Sequence, residues 1–426
     1  MKYKSSILYS ASFVVILILN SFLLKSIFIH EKSNFWLENI SYLSPFYNRF
    51  QRVATNIEND ATSHPLNDVE GLHVLTTGHS KSRNAIFTLM AGINPYESQS
   101  VVNYVSYLGY LIHLAAVRFL LDASGSEMDF NILLRLKHGL PNNTLPDAQI
   151  RFFSKLQMNI IFLPQKEDGS WKSYTMEKFH ILRFHAMYDK VFFMDADVLP
   201  LCDLTHYFNM SDQGFFAPNV IFAFNNEPSN AGVFLLSPER SDWEVFKKIP
   251  EYMNPKMGFG IPLAEPAEGR RANYSDWSWQ AVKEDQGMLY HWTRYIKKNV
   301  TMVKDGQLKR WIEVNGTVKL VEEKSHFEKR CPSFLRKNDN HGYYNLLQSD
   351  FKHFTGKKKP WKVFNWSSSV VDENSIHQVW KIHLWAFGVW KTWRKYDLGP
   401  LIQLIPNISK DLDTDIQLIQ SFLDQN

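Results

Sequence analysis

The stretch VFFMDADVLPL, Val191 to Leu201, governs the reading of this chain. Val191, Phe192, Phe193 and Met194 are apolar residues of strand-forming type, and a run apolar at every position predicts an interior strand covered on both faces. It closes on Asp195 and Asp197, so two carboxylates fall at the carboxyl edge of a sheet, where open α/β folds collect their ligands. Carboxylates one residue apart are not buried bare, because an isolated ionised carboxylate loses many kcal/mol on leaving water. A hard divalent cation is the partner such a pair asks for. Standing alone, the motif also fits a strand end with two solvated aspartates.

Outward from this strand, apolar runs alternate with helical periodicity. Ala85–Met90 predicts a first strand and Val101–Leu121 a helix, with Asn131–Leu136 and Asn159–Leu163 as further strands. Lys178–Tyr188 predicts the helix that feeds the Lys190–Met194 strand. Strands alternating with helices imply a doubly wound, mostly parallel central sheet. Downstream come a strand at Gly232–Leu236, a Pro/Gly-rich insertion from Pro255 to Trp279 and a hairpin at Arg310–Glu322, whose Asn315-Gly316 pair favours a type I′ turn. From Trp380 to Tyr396 aromatic residues recur at helical spacing, which suits a helix docked on the core or one lying on a membrane surface.

With 426 residues and 45% hydrophobic content the chain can bury a sizeable core. Its net charge of +4 is small and its basic residues are scattered, so nothing calls for nucleic acid. The 31 Phe, 18 Tyr and 13 Trp suit a large core or stacking surfaces for sugars. Ile7 to Leu24 carries no charged side chain and follows Lys2 and Lys4, which predicts a signal anchor with a cytosolic amino terminus and nearly all of the chain lumenal; a cleaved signal peptide is the competing reading. Asn-x-Ser/Thr sequons begin at Asn39, Asn142, Asn209, Asn273, Asn299, Asn315, Asn365 and Asn407, about twice the chance expectation, and agree with that topology. Cys202 and Cys331 are the only cysteines and are read either as one bridge or as two free thiols.

Four elements then follow one another: the aspartate pair, SNAGVFLLS from Ser229, EDQGMLYHW from Glu284 and HFTGKKKPW from His353. In this order and spacing the chain resembles family 8 glycosyltransferases, the retaining nucleotide-sugar enzymes that include glycogenin, galactinol synthase and plant xylan glucuronyltransferases. The likeness runs from Ala85 to Trp361, and its most specific part is His353, Gly356, Lys359, Pro360 and Trp361 at His-x-x-Gly-x-x-Lys-Pro-Trp spacing.

The chemistry of these residues can be stated directly. A nucleoside diphosphate-sugar carries negative charge on its diphosphate, and breaking the sugar–phosphate bond concentrates more there, so a divalent cation and a lysine are needed. Asp195, Asp197 and His353 form a mixed oxygen and nitrogen set suited to Mn²⁺, with Mg²⁺ as a substitute. Gly356 permits close backbone approach to a phosphate, and Lys359 reaches it as a point charge. The resemblance implies that Asp195 also touches the ribose, that Asn230, Asp285 and Gln286 hold the donor sugar near its anomeric carbon, and that Thr88, Leu89 and Tyr96 correspond to the uridine pocket. Asp285-Gln286-Gly287 also reads simply as the cap of a helix beginning at Met288. Lys178 is the nearest candidate for the family's donor-binding lysine, although it falls one residue too far upstream. Val282 replaces an aspartate of glycogenin, so neither glucose preference nor self-glycosylation on tyrosine is implied.

The expectation is therefore a single Rossmann-like, GT-A-type catalytic domain over residues 79–365, behind a cytosolic tail at 1–6, a transmembrane anchor at 7–29 and a stem at 30–78, and followed by a helical extension at 366–426. Its function is transfer of a hexose or hexuronic acid from a UDP-sugar to a glycan or glycoconjugate with retention, in a Golgi or ER membrane of type II topology, with a homodimer compatible. Two rival readings stand beside it. One is a non-catalytic sugar-binding protein of the same fold. The other is a phosphatase of the haloacid dehalogenase type, which needs its aspartate motif in the first strand and an acidic pair downstream that this chain lacks.

Overall fold

The structure is a computed structural model that describes residues between 69 and 392. Segments within that range lie outside the description, the longest being 253–283, 324–349 and 364–384, as do 1–68 and 393–426. The expected anchor, the insertion with Trp277 and Trp279, Gly356 and Cys331 all fall outside the described residues. No described helix is long and apolar enough to cross a membrane.

The strand that carries the aspartates, β7 (Lys190–Met194), lies inside a ten-stranded sheet of the described residues. Its neighbours explain its composition. On one side β2 (Asn84–Ile93) runs parallel, Phe87 opposite Phe193; on the other β10 (Asn230–Leu236) runs antiparallel, Val233 opposite Met194. Successive side chains of a strand point to opposite faces. Val191 and Phe193 accordingly join a core with Phe87, Phe179 and Phe234, whereas Phe192 and Met194 join a second core with Ile86, Tyr207 and Phe222. Both faces are covered, so no position in the run is polar. Each fully buried Phe contributes about 2–3 kcal/mol of transfer free energy.

The strand order is β1–β6–β5–β2–β7–β10–β9–β11–β12–β13. The expected parallel arrangement holds for four adjacent strands, β6 (Met158–Phe162), β5 (Asp129–Leu136), β2 and β7, and these place their carboxyl ends on one edge. Beyond them the sheet is mixed. β10 and β9 (Asn219–Ala223) run antiparallel, β11 (Val300–Asp305) runs parallel to β9, and β12 (Lys309–Val314) pairs with β13 (Thr317–Glu323) as the expected hairpin. The opposite edge is β1 (His73–Leu75), three residues that pair with β6 inside the segment expected to be stem. Three residues are too short for periodicity to reveal.

Two elements differ from the sequence reading. The first helix, α1 (Tyr107–Ser124), starts later than expected, because Ser106 caps it by accepting from Gly109 N at 3.0 Å. The valines before it form the two-stranded ribbon β3 (Val101–Val102) and β4 (Val105–Ser106). Gly125, at φ +77°, ends α1 in a left-handed conformation open to glycine. The segment before β7 is a tightly wound 3₁₀ helix, α3 (Met176–Phe184), rather than a regular α-helix. The helix between β5 and β6 is α2 (Asp147–Lys155).

At the other end of the chain, Trp385, Gly388, Val389 and Thr392 recur at helical spacing and face α1, with Trp385 and Val389 buried and Thr392 Oγ1 donating to Ala115 O at 2.7 Å. The described residues of this segment pack on the core, whereas Trp380, Phe387, Trp390, Trp393 and Tyr396 lie outside the description.

The chain leaves β7 through Asp195–Asp197 into β8 (Val198–Pro200), which pairs antiparallel with β14 (Phe351–His353) so that His353 stands opposite Val198. This small ribbon unites the two distant motifs. It is anchored below by Asp350, whose carbonyl accepts from Leu201 N at 2.7 Å and whose carboxylate accepts from Tyr207 Oη. Cys202, buried at the foot of the ribbon, is disulfide-bonded.

Candidate active site

Three ligand groups converge at the end of β7. His353 Nε2 lies 3.1 Å from Asp197 Oδ1 and 3.9 Å from Asp195 Oδ2, and one ligand atom from each of the three residues falls within 4.8 Å of the others. Two carboxylates and an imidazole within that span match the donor set of a divalent ion such as Mn²⁺. Asp195 is the most open of the three, with its side chain 31% exposed, so the cluster faces solvent on that side.

The remaining oxygens are held by lysines. Asp197 Oδ2 is paired with Lys359 Nζ, which also donates to Phe354 O at 2.6 Å. Asp195 Oδ1 accepts from Lys178 Nζ at 2.9 Å, and the same ammonium reaches Asp285 Oδ2 at 2.7 Å and Ala231 O at 2.9 Å. The result is a linked chain of ionisable groups: Asp285, Lys178, Asp195, His353, Asp197, Lys359. Each lysine is only 2% exposed, and burying an ammonium requires this compensation.

The protonation states follow from these neighbours. Burial alone would raise the Asp197 carboxyl, but His353 and then Lys359 outweigh it and hold Asp197 well below the usual carboxylate range. Burial would lower the His353 imidazole, and Asp197 reverses this and raises it. Asp195 is raised, first by burial, with Lys178 opposing. Lys178, despite a burial that favours its neutral form, is raised by Asp195 and Asp285 and stays charged.

The strand β10 completes the wall. Asn230 Oδ1 accepts from Gly232 N at 2.8 Å, and Gly232 O accepts from Asp195 N at 2.7 Å. A Cβ added at Gly232 would stand 2.3 Å from His353 Cε1, so the imidazole lies directly on this glycine. The sequence points to Asn230 and leaves Gly232 unassigned, although the Asn-x-Gly spacing is its signal. Asp285 and Gln286 open helix α4 (Asp285–His291), with Asp285 as the acidic residue of its first turn.

Lys178 is off by one residue in sequence spacing, yet α3 delivers its ammonium between the two carboxylates. Thr88 is buried on β2, Leu89 is half-buried against the core, and Tyr96 is 54% exposed with its hydroxyl 3.2 Å from Thr144 Oγ1. Among the described residues no hydrogen bond or ion pair joins these three to the charged cluster.

No family model matches the chain. Among curated proteins, glycogenin of Cryptococcus neoformans var. grubii is 23% identical over 193 residues, which cover 44% of this chain and 17% of that protein. The chain resembles family 8 glycosyltransferases. It spans about a sixth of the length of that relative. Solved structures with some likeness include the Streptococcus pneumoniae glycosyltransferase GlyE, at 16% identity over 74% of this chain and 64% of that chain, with a TM-score of 0.37. The galactosyltransferase LgtC, in complex with donor and acceptor sugar analogs, matches at 14% identity over 74% of this chain and 99% of that chain, also with a TM-score of 0.37.

Proposed function

We propose that this chain is a Mn²⁺-dependent glycosyltransferase that moves a hexose or hexuronic acid from a UDP-sugar to a glycan or glycoconjugate acceptor with retention of configuration. The observation that carries the reading is the convergence of Asp195, Asp197 and His353 with Lys359 at the carboxyl edge of the parallel strands. Asp195, Asp197 and His353 would hold the cation, which when bound supplies charge neutralisation for the departing diphosphate. Lys359 supplies a second positive charge from a position water does not reach. Gly356, Thr88, Leu89 and Tyr96 are assigned to the nucleotide, and Asn230, Asp285 and Gln286 to the sugar.

Asp285 is held by the Lys178 ammonium at 2.7 Å, and a carboxylate so engaged is a poor nucleophile. Front-face attack, with the acceptor proton passing to the leaving phosphate oxygen, is the mechanism in better accord with that contact. Residues 7–29 as an anchor, a Golgi or ER location and a homodimer belong to the same proposal.

The test is thermal denaturation of the chain in the presence of individual UDP-sugars, with and without Mn²⁺. Stabilisation that needs both Mn²⁺ and one UDP-sugar, together with release of UDP on adding glycan acceptors, is the expected outcome. Binding without any turnover assigns a sugar-binding role instead, and absence of binding removes the reading.

A further inference from the structure

Helix α1 meets the site from behind through a single face. His113 is 1% exposed, and its Nε2 lies 2.9 Å from Val198 O; a carbonyl only accepts, so Nε2 carries the proton. Its ring stands edge-on to Phe354, with centroids 6.4 Å apart, and to Trp361 at 5.5 Å. One turn earlier on the same face, Gly109 leaves a notch that Trp361 fills: a Cβ there would stand 2.4 Å from Trp361 Cδ1. Val198 adjoins Asp197, Phe354 adjoins His353, and Trp361 follows Lys359 by two positions. The backbone of these partners is itself interlocked, with Phe354 N donating to Asp197 O at 3.0 Å and Phe354 O accepting from Lys359.

We infer that His113, seated by the Gly109 notch, is a positioning residue that sets the distance between the aspartate turn and the histidine–lysine segment. Nothing in the motif spacing assigns it, since it lies on a helix outside all four elements. Its contacts stop one or two residues short of the charged groups, so it acts through the backbone and rings that carry them. The two halves of the site come from chain segments far apart in sequence, and the β8–β14 ribbon and this helix face both help to join them. Replacing the imidazole with an apolar side chain leaves the Val198 carbonyl without its donor inside a packed seam.

The inference rests on the transferase reading, and the experiment separates the two. UDP binding to the full chain is measured as a function of Mn²⁺ for the wild type and for His113→Leu, His113→Gln, Gly109→Ala and Thr392→Val. Thr392 bonds the same helix at Ala115 O, away from the seam, and serves as the control for simple loosening of α1. The expected result is that His113→Leu and Gly109→Ala weaken Mn²⁺-dependent UDP binding about tenfold or more, that His113→Gln, which keeps a donor, recovers part of it, and that Thr392→Val lowers the melting temperature without changing binding. If His113→Leu does not fold, Gly109→Ala and His113→Gln carry the comparison. Wild-type affinity in His113→Leu and Gly109→Ala, or equal weakening in Thr392→Val, overturns the inference while leaving the transferase reading in place. A wild type that binds no UDP with Mn²⁺ overturns both.

Discussion

Lys178 and Asp285, on α3 and α4, are joined by a 2.7 Å ion pair in which the two side chains are 2% and 11% exposed. That pair ties Asp285 to the Asp195, Asp197 and His353 cluster, because the same ammonium holds Asp195. Lys178→Met removes the one group shared by both carboxylates. Breaking a buried pair in this way costs about 3–5 kcal/mol, with the partial exposure of Asp195 reducing the figure. Chemical denaturation is expected to show a loss of that order, whereas Asp285→Asn, which still offers Lys178 an acceptor, should stay within about 1 kcal/mol of wild type and lose about a hundredfold in turnover. Near-wild-type stability in Lys178→Met would show that the pair contributes little.

Asp197 uses both its oxygens, one toward His353 and one on Lys359. Asp197→Asn keeps the shape and removes the charge. The expected outcome is a fall in Mn²⁺-dependent UDP release of about a hundredfold or more, with far-ultraviolet circular dichroism unchanged. Retained activity would remove Asp197 from the cation site.

Gly232 supports the His353 ring, and a methyl group there would stand 2.3 Å from Cε1. The clash lies against a ring whose Nε2 sits 3.1 Å from Asp197 Oδ1, not against a flexible chain end. Gly232→Ala should therefore shift the imidazole and raise the Mn²⁺ concentration for half-maximal activity about 10- to 100-fold, while the melting temperature falls only slightly. A Mn²⁺ titration of steady-state rate decides this.

His113 is held neutral. Burial, the largest influence, lowers its pKa from 6.5 to about 4, against the opposing pull of the Val198 carbonyl and Asp197. The unfolded chain then binds a proton that the folded chain refuses between these values, so stability is fully present above about pH 6.5 and is lost as pH falls toward 4. The loss reaches about 3 kcal/mol from this group. Denaturant midpoints measured from pH 7 down to pH 4.5 should decline more steeply for the wild type than for His113→Gln; parallel curves would contradict the burial argument.

Much of the fold was legible because it depends on short-range chemistry. The fully apolar run Val191–Met194 could only be a strand covered on both faces, and the two cores found on either side of it are that statement in three dimensions. The Asn315-Gly316 hairpin and the helix carrying Trp385 and Val389 were equally local signals. The three-residue edge strand His73–Leu75 was not legible, since its pairing with β6 is decided by the partner rather than by its own pattern.

The residues of the candidate site were each visible in the sequence: a carboxylate pair after an apolar strand, a histidine and a lysine at fixed spacing, an Asp-Gln pair opening a helix. Their assembly was not. Lys359 and Asp197 lie 162 positions apart, and their meeting depends on the pairing of β8 with β14 and on a helix face whose glycine and histidine carry no motif. Local composition sets which groups are expensive to bury. Only tertiary packing decides which of them are brought close enough to offset one another's charge, because that offset falls off with distance in space and is blind to distance along the chain.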